Sequence, residues 1–208
     1  MAVAFLLLLL AASPAASALN VAQAPPPCVV LITAPLADGR ASFAAGVILG
    51  QTVNGLTIAT AAHVPNLVDA RVVTQRGEVL AVTGARAIAG HDLALLTTVH
   101  AWFTYPTPAV RTFAARDQAA FVWGYPQSSA PTLSNAWTVA VPASLAERAR
   151  PGEIAIACAT CAHGDSGGGI FTADGALIGI VTHGLVTPDG TPAIVFGEPI
   201  ATAVASLP

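Results

Sequence analysis

Short apolar runs recur along the chain, and glycine, proline, asparagine or aspartate separates each run from the next. The runs are rich in valine, isoleucine, alanine and threonine, which is typical of short β-strands. Asn54-Gly55, Asp174-Gly175 and Asp189-Gly190 lie between runs and are hairpin turn signals. The pattern predicts strands near residues 44–49, 56–61, 71–74, 78–82 and 93–97, and a second set near 119–123, 137–141, 153–158, 168–171, 176–182 and 193–196.

The division of the strands into two sets predicts two domains of one kind. Eleven or twelve short strands in two sets favour two β-barrels that pack face to face. A helix is predicted only at the C-terminus, where Glu198–Val204 has an early proline and a short apolar face. We therefore expect an all-β fold of two antiparallel six-stranded β-barrels with a short C-terminal helix. The expected boundaries are 1–18 for a signal peptide, 19–40 for an N-terminal arm, 41–105 for the first barrel and 106–208 for the second.

The composition limits the classes of molecule that the chain is expected to bind. The chain has 208 residues, of which 54% are hydrophobic and 9% charged, and its net charge is −3. A chain of this length can bury a sizeable core. Binding to nucleic acid requires clustered lysine and arginine side chains that contact phosphates, so the acidic balance argues against a nucleic acid partner.

The N-terminus resembles a secretory leader. An apolar run that includes Leu6–Leu10 precedes the small-residue cleavage site Ala16–Ala18, although no positive charge stands before the run. Pro14 interrupts the run too early for a comfortable membrane span, and an uncleaved anchor is the alternative. Residues 24–27 then form a stiff arm with three prolines. We expect a secreted or periplasmic protein with no membrane association after cleavage.

Three short segments carry the candidate chemistry, and in chain order they are Thr60–His63, His91–Leu96 and His163–Gly169. They supply a base, an orienting carboxylate and a nucleophile: His63, Asp92 and Ser166. A serine hydroxyl attacks carbonyl groups at neutral pH only when an imidazole accepts its proton and a third group holds that imidazole. The order His, Asp, Ser is the order found in chymotrypsin-like enzymes.

These segments resemble those of the trypsin/chymotrypsin-like serine proteases. Spacings of 29 residues from His63 to Asp92 and 74 from Asp92 to Ser166 are similar to those of compact bacterial and HtrA-like members. The resemblance covers about residues 41–208 and implies a catalytic cleft between the barrels, with Ser166 on the second. It also implies an oxyanion hole formed by the backbone N–H groups of Gly164 and Ser166. No PDZ-like domain is expected, because 42 residues follow Ser166.

Two other aspartates compete with Asp92 for the orienting role. Asp69 follows His63 by six residues in a loop, and Asp165 stands next to the nucleophile, where its side chain should point away. Asp92 is preferred because it opens a strongly apolar strand that would hold and desolvate it. In zymogen members of the family the acid before the serine pairs with a new N-terminus. This chain lacks the corresponding cleavage site, so the resemblance implies activity without that cleavage.

The resemblance also indicates a substrate pocket. Thr160 would lie at its base, Thr182, His183 and Gly184 would form the far wall, and His163 is a further pocket candidate. The histidines and threonines are compatible with an acidic substrate side chain. His163 and His183 could equally be a rim histidine and a packed one. A small or medium apolar side chain is the preferred expectation.

The three cysteines permit more than one arrangement. An exported protein meets oxidising conditions, so we expect at least one disulfide. Cys158 and Cys161 can bridge near the nucleophile loop if the chain turns there, and otherwise Cys28 becomes a candidate partner for one of them. A zinc site formed by these two thiols with His163 and His183 is a further alternative.

The function expected from the sequence is that of an exported serine endopeptidase. It would cleave polypeptide substrates through a Ser-His-Asp triad and an acyl-enzyme, with no cofactor and no metal. The alternative is a catalytically inactive protein of the protease fold that binds peptides or a partner.

Overall fold

The computed structural model of the protein describes residues 24–112, 118–126, 130–139, 149–186 and 192–207. The signal peptide expected at 1–18 and the turn expected at Asp189-Gly190 lie outside the described residues. Within the described ranges, no helix is long and apolar enough to cross a membrane.

The first six strands form a closed antiparallel barrel. In chain order they are β1 (Val29–Pro35), β2 (Ala41–Thr52), β3 (Gly55–Ala61), β4 (Arg71–Val73), β5 (Val79–Ala87) and β6 (Leu93–Thr98). Their order around the barrel is β1-β2-β3-β6-β5-β4, and the pairing of β1 with β4 closes it. A short 3-10 helix, Leu67–Asp69, connects β3 to β4.

The last six strands form a second barrel of the same kind. They are β7 (Ala119–Gly124), β8 (Thr132–Val139), β9 (Ile154–Ala157), β10 (Gly169–Thr172), β11 (Leu177–Val186) and β12 (Pro192–Pro199). The order β10-β11-β12-β9-β8-β7 closes through the pairing of β10 with β7. A single short helix, α1 (Ile200–Val204), follows β12 among the described residues. The all-β prediction of two six-stranded barrels and a C-terminal helix is confirmed.

The N-terminal arm expected at 19–40 is wrong in its second half, because it contains β1. Val29, Val30 and Ile32 are fully buried in the core of the first barrel. The strand pairs with β2 on one side and β4 on the other, so the barrel begins at Val29 and not at residue 41. The adjacent prolines favoured an extended arm. This apolar segment is nevertheless a strand of the sheet, because its pairing with β2 and β4 closes the barrel.

The loop that carries Ser166 is anchored between the two barrels. The N–H of Ala45 in β2 donates to the carbonyl oxygen of Ser166 at 2.8 Å, and the N–H of Gly167 donates to Val181 in β11 at 2.7 Å. The hydroxyl of Thr60 in β3 donates to the carbonyl oxygen of Ala45 at 2.7 Å. A Cβ atom on Gly167 would lie 2.0 Å from that same oxygen, so the barrels leave no room there for a side chain.

Gly167→Ala is expected to lower the free energy of unfolding by at least about 3 kcal/mol, through left-handed backbone strain together with overpacking. Gly167 has φ +83°, and its neighbours at the barrel junction are backbone atoms and a hydrogen-bonded hydroxyl. Urea denaturation measures the effect. Gly175→Ala is the matched control, because Gly175 also has φ +83° but no atom within 4 Å of its Cβ position. It should lose only about 1–2 kcal/mol, and equal losses would refute the packing argument.

Candidate active site

His63 and Asp92 lie at the same end of the first barrel because their strands are neighbours. His63 follows the end of β3, Asp92 immediately precedes β6, and Ala61 pairs with Leu93 in the sheet. Nδ1 of His63 lies 2.9 Å from Oδ2 of Asp92, and the backbone N–H of His63 donates to Oδ1 at 2.9 Å. Both carboxylate oxygens are therefore directed at one histidine. Asp69 is exposed in the 3-10 helix and takes no part in this pair.

The environment of Asp92 favours its ionised form. The side chain is only 9% exposed. Burial raises the pKa of this carboxyl, but the hydrogen bonds and charge of His63 outweigh burial, and the net pKa is lowered. The carboxylate consequently remains an acceptor that can hold one tautomer of the His63 ring.

Ser166 comes from the second barrel and faces the same cavity as His63. It lies in the loop before β10, and its hydroxyl donates to the carbonyl oxygen of Thr182 in a long hydrogen bond of 3.4 Å. The cavity has a volume of about 660 Å³, and His63, Asp92 and Ser166 all line it. His63 and Ser166 also line a second cavity of about 350 Å³, together with Phe43.

The loop before Ser166 carries the two backbone N–H groups expected to form an oxyanion hole. Gly164 has φ +102°, a conformation that residues with a side chain rarely adopt. The turn is held by hydrogen bonds from the N–H of Asp165 to Ala162 at 3.1 Å and from Gly168 to Asp165 at 2.8 Å. Within the described residues, the N–H groups of Gly164 and Ser166 donate to no protein acceptor. Two backbone donors next to the nucleophile are therefore available to a ligand.

Asp165 is buried behind this loop. It is 2% exposed, and its Oδ2 accepts a hydrogen bond from the N–H of Ala162 at 2.9 Å. A Cβ atom on Gly124 would lie 2.1 Å from its Oδ1, so Gly124 provides the space that the carboxyl group occupies. Burial raises the pKa of Asp165 to about 6, although the hydrogen bond from Ala162 opposes this.

Asp165→Asn is expected to stabilise the protein at pH 7.5 and not at pH 4. The folded-state pKa of about 6 exceeds the ordinary value of 3.8, so the folded protein binds this proton more tightly than the unfolded chain. The wild type therefore loses stability as the pH rises from about 4 through about 6. Because one pKa unit corresponds to about 1.4 kcal/mol, the neutral amide should recover about 2–3 kcal/mol at pH 7.5.

Urea denaturation at the two pH values measures this difference. The matched control is Asp174→Asn, since the Asp174 carboxylate is exposed and hydrogen bonds from Thr172 and Arg111 lower its pKa. That control should not stabilise the protein at pH 7.5. An equal gain for Asp165→Asn at both pH values would show that burial of the charge is not the cause.

Four of the five residues expected in the substrate pocket line the large cavity, and one does not. His163, Thr182, His183 and Gly184 are at its wall. Thr160 was expected at the base, but it is exposed and does not line the cavity, so that expectation is wrong. The disulfide turns the chain between residues 158 and 161 and leaves Thr160 on the outside of the resulting loop.

The cysteines adopt the first of the expected arrangements. Cys158 and Cys161 form a disulfide with a Cα–Cα distance of 5.6 Å, which confirms the expected bridge near the nucleophile loop. Cys28 is a buried free thiol, and burial raises its pKa to about 12. The alternative pairing of Cys28 is therefore wrong. The disulfide also takes up both thiols that the zinc alternative requires.

Sequence reasoning missed three charged residues around the site. Arg150 lines the large cavity, and its Nη1 lies 3.7 Å from Oε1 of the buried Glu198. Nδ1 of His183 lies 3.6 Å from Oε1 of Glu153, whose side chain is fully buried. In a chain with so few charges, a carboxylate within an apolar strand is itself a signal of a buried site. Its partners could not be read from the sequence.

The family of the chain follows from a match over most of its length. Residues 15–180 match the family model described as a trypsin-like peptidase domain. The chain belongs to the trypsin-like peptidase family. No protein of curated function matches this trypsin-like peptidase.

Solved structures of proteases share the fold of this trypsin-like peptidase at low sequence identity. A serine endoprotease from Yersinia pestis is 24% identical, with a TM-score of 0.69 over 86% of this chain and 61% of its own. The HtrA-type protease AlgW with tripeptide is 22% identical, with a TM-score of 0.70 over 86% of this chain and 58% of its own. The Rv3671c protease from M. tuberculosis, active form, is 18% identical, with a TM-score of 0.68 over 88% and 80%. The chain thus spans about three fifths of the first two proteins.

Proposed function

We propose that this chain is an exported serine endopeptidase with the triad His63, Asp92 and Ser166. One observation carries the proposal: a buried, ionised Asp92 is paired with His63 at 2.9 Å in the cavity that Ser166 also lines. The family supplies the context, since trypsin-like peptidases use a serine nucleophile with a histidine base. Polypeptides are the proposed substrates.

In the proposed reaction, Ser166 attacks the carbonyl carbon of a peptide bond. Its hydroxyl leaves the long hydrogen bond to Thr182 and gives its proton to Nε2 of His63, because Nδ1 is held by Asp92. The ionised Asp92 stabilises the imidazolium that forms. The same proton then passes to the leaving amine, and the acyl group remains on the serine oxygen until water, deprotonated by His63, hydrolyses the ester.

The backbone donors of the loop take the charge that develops on the carbonyl oxygen. The N–H groups of Gly164 and Ser166 are the proposed oxyanion hole. The φ of +102° at Gly164 gives the loop a turn that a residue with a side chain would rarely adopt. Removal of one such donor from a serine protease typically costs about 2.7–4 kcal/mol of transition-state stabilisation.

The proposed substrate side chain next to the cleaved bond is small or medium and apolar. Ala162, Val181 and Val195 supply apolar wall to the large cavity. Two of its basic side chains already face buried carboxylates: Nη1 of Arg150 lies 3.7 Å from Glu198, and Nδ1 of His183 lies 3.6 Å from Glu153. A peptide library should show cleavage after alanine or valine in preference to glutamate, and a preference for glutamate would refute this assignment.

Export is supported by the leader-like N-terminus and by the disulfide, which persists in oxidising compartments. N-terminal sequencing of the mature protein tests this proposal. A periplasmic or secreted chain that begins at Leu19 supports it. A membrane-bound chain that retains Leu6–Leu10 would show instead that the segment is an anchor.

Labelling with a serine-directed fluorophosphonate tests the proposed catalytic function. The probe should modify the wild-type protein at Ser166 and leave Ser166→Ala unlabelled. Prior denaturation of the wild type should abolish labelling, because the activated serine depends on the folded site. A folded wild type that is not labelled and cleaves no peptide would favour the inactive, peptide-binding alternative.

A further inference from the structure

Glu198 joins the second barrel to the residues that carry the triad acid. It is a β12 residue that is 2% exposed, and its side chain reaches the segment before β6 in the first barrel. Oε1 accepts a hydrogen bond from the backbone N–H of Asp92 at 3.2 Å, and Oε2 lies 2.9 Å from Nδ1 of His91. One carboxylate thus contacts two successive residues, of which the second is the proposed orienting acid.

This carboxylate is costly for the fold. Transfer of a charge from water to a protein interior is unfavourable even when a partner is present, and apolar residues of similar volume often replace buried ion pairs without loss of stability. Ile200, two residues after Glu198, is fully buried, so the core accommodates an apolar residue close to this position. The position of the charge therefore calls for a role beyond packing.

A continuous series of hydrogen bonds runs from Glu198 to the proposed base. Glu198 accepts from the N–H of Asp92, and the two oxygens of Asp92 accept from the N–H and Nδ1 of His63. We propose that Glu198 is a positioning residue, which fixes the backbone of Asp92 so that its carboxylate faces His63 and whose negative charge favours the imidazolium. This inference rests on the proposed function, because it assigns a role within the proposed triad.

Among the described residues, the charged and titratable groups around Glu198 come from two segments. His91 and Asp92 face it from the loop before β6, and Arg150 lies 3.7 Å away before β9. Glu153 also lies before β9; burial raises the pKa of Glu153, and the like charge of Glu198 raises it further. Burial is the larger cause of that rise in the pKa of Glu153. Arg150 offsets part of the charge of Glu198, so we expect a moderate effect on His63.

Glu198→Gln separates the charge of the side chain from its shape. The amide oxygen can still accept from the N–H of Asp92, but the negative charge is lost. We expect kcat to fall about three- to tenfold with KM unchanged, since a less basic imidazole accepts the serine proton less readily. The acid limb of kcat/KM should move to lower pH by about 0.5–1 unit.

Glu198→Leu removes the acceptor as well and should reduce kcat at least about tenfold further, because the N–H of Asp92 is left without a partner. The matched control is Glu78→Gln. Glu78 also accepts a backbone hydrogen bond, from Trp102 at 2.7 Å, but its other side-chain partner is Tyr105 and not a residue of the proposed triad. If Glu198 had a purely structural role, Glu198→Gln and Glu78→Gln would lower the free energy of unfolding by similar amounts. Neither variant would then shift the acid limb of kcat/KM.

An NMR titration of His63 tests the inference without turnover. In protein with ¹⁵N-labelled histidine, with the His63 signals assigned by their absence in His63→Gln, the titration midpoint should be lower in Glu198→Gln than in the wild type. If the wild type cleaves no peptide but this shift is present, the proposed function fails, whereas the electrostatic effect of Glu198 on His63 stands. An unchanged midpoint together with kcat within twofold of the wild type would overturn it.

Discussion

Ser166→Ala is expected to lose nearly all peptide hydrolysis, a fall of about 10⁶ in kcat, while the protein stays folded. Members of a triad act as a unit, so removal of the nucleophile costs about as much as removal of all three. The fold should survive because the hydroxyl makes only one long hydrogen bond, of 3.4 Å, to Thr182. Steady-state cleavage of an unfolded protein substrate, with a thermal unfolding midpoint for each variant, measures both statements.

The control for this variant is Ser206→Ala. The Ser206 hydroxyl also donates to one carbonyl oxygen, that of Thr202 at 3.0 Å, but it lies at the C-terminal helix and lines neither cavity. It should retain wild-type cleavage. If Ser166→Ala also retained cleavage close to the wild-type rate, the assignment of the nucleophile would be wrong.

Asp92→Asn is expected to lower kcat by about 10⁴ with little change in KM. The two oxygens of Asp92 accept from the backbone N–H and from Nδ1 of His63. An amide has one oxygen for two donors, and its NH₂ group would face Nδ1 and favour the tautomer in which Nε2 carries the proton. That ring cannot accept the proton of Ser166. Loss of the carboxylate also removes the charge that stabilises the imidazolium.

Asp69→Asn is the control for the choice of acid. Asp69 is only six residues after His63 in the sequence, but it is exposed in the 3-10 helix. We expect wild-type kinetics from it. A larger loss of kcat in Asp69→Asn than in Asp92→Asn, with both variants folded, would contradict the geometry of the site.

Local sequence patterns were sufficient to predict the architecture of the fold wherever one strand or turn pattern extended over a whole segment. The strands of both barrels were predicted from short β-branched runs between turn residues, since side chains that alternate between a core and a surface impose that pattern. β1 was missed because Pro25–Pro27 stand directly before it and favour an extended arm. Only closure of the barrel shows that Val29 and the residues after it are core.

The substrate cavity shows a second limit of sequence reasoning. The resemblance placed Thr160 at the base of the pocket from its position six residues before Ser166. The disulfide between Cys158 and Cys161 changes that path and exposes Thr160, while Ala162 takes a place at the wall. A count of residues predicts position only where the backbone has a regular repeat, and this loop has none.

The sequence by itself determined the two-barrel class and the candidate residues His63, Asp92 and Ser166, because a glycine-rich turn and strand-length apolar runs are local features. Tertiary structure alone decided which charges meet at the site. Glu198 contacts Asp92 across 106 residues of chain, and His91 across 107. Such a contact depends on how two closed barrels pack, and no local pattern encodes it. Buried charges are stable only beside partners, so the role of a buried carboxylate such as Glu198 can be inferred only when its spatial partners are known.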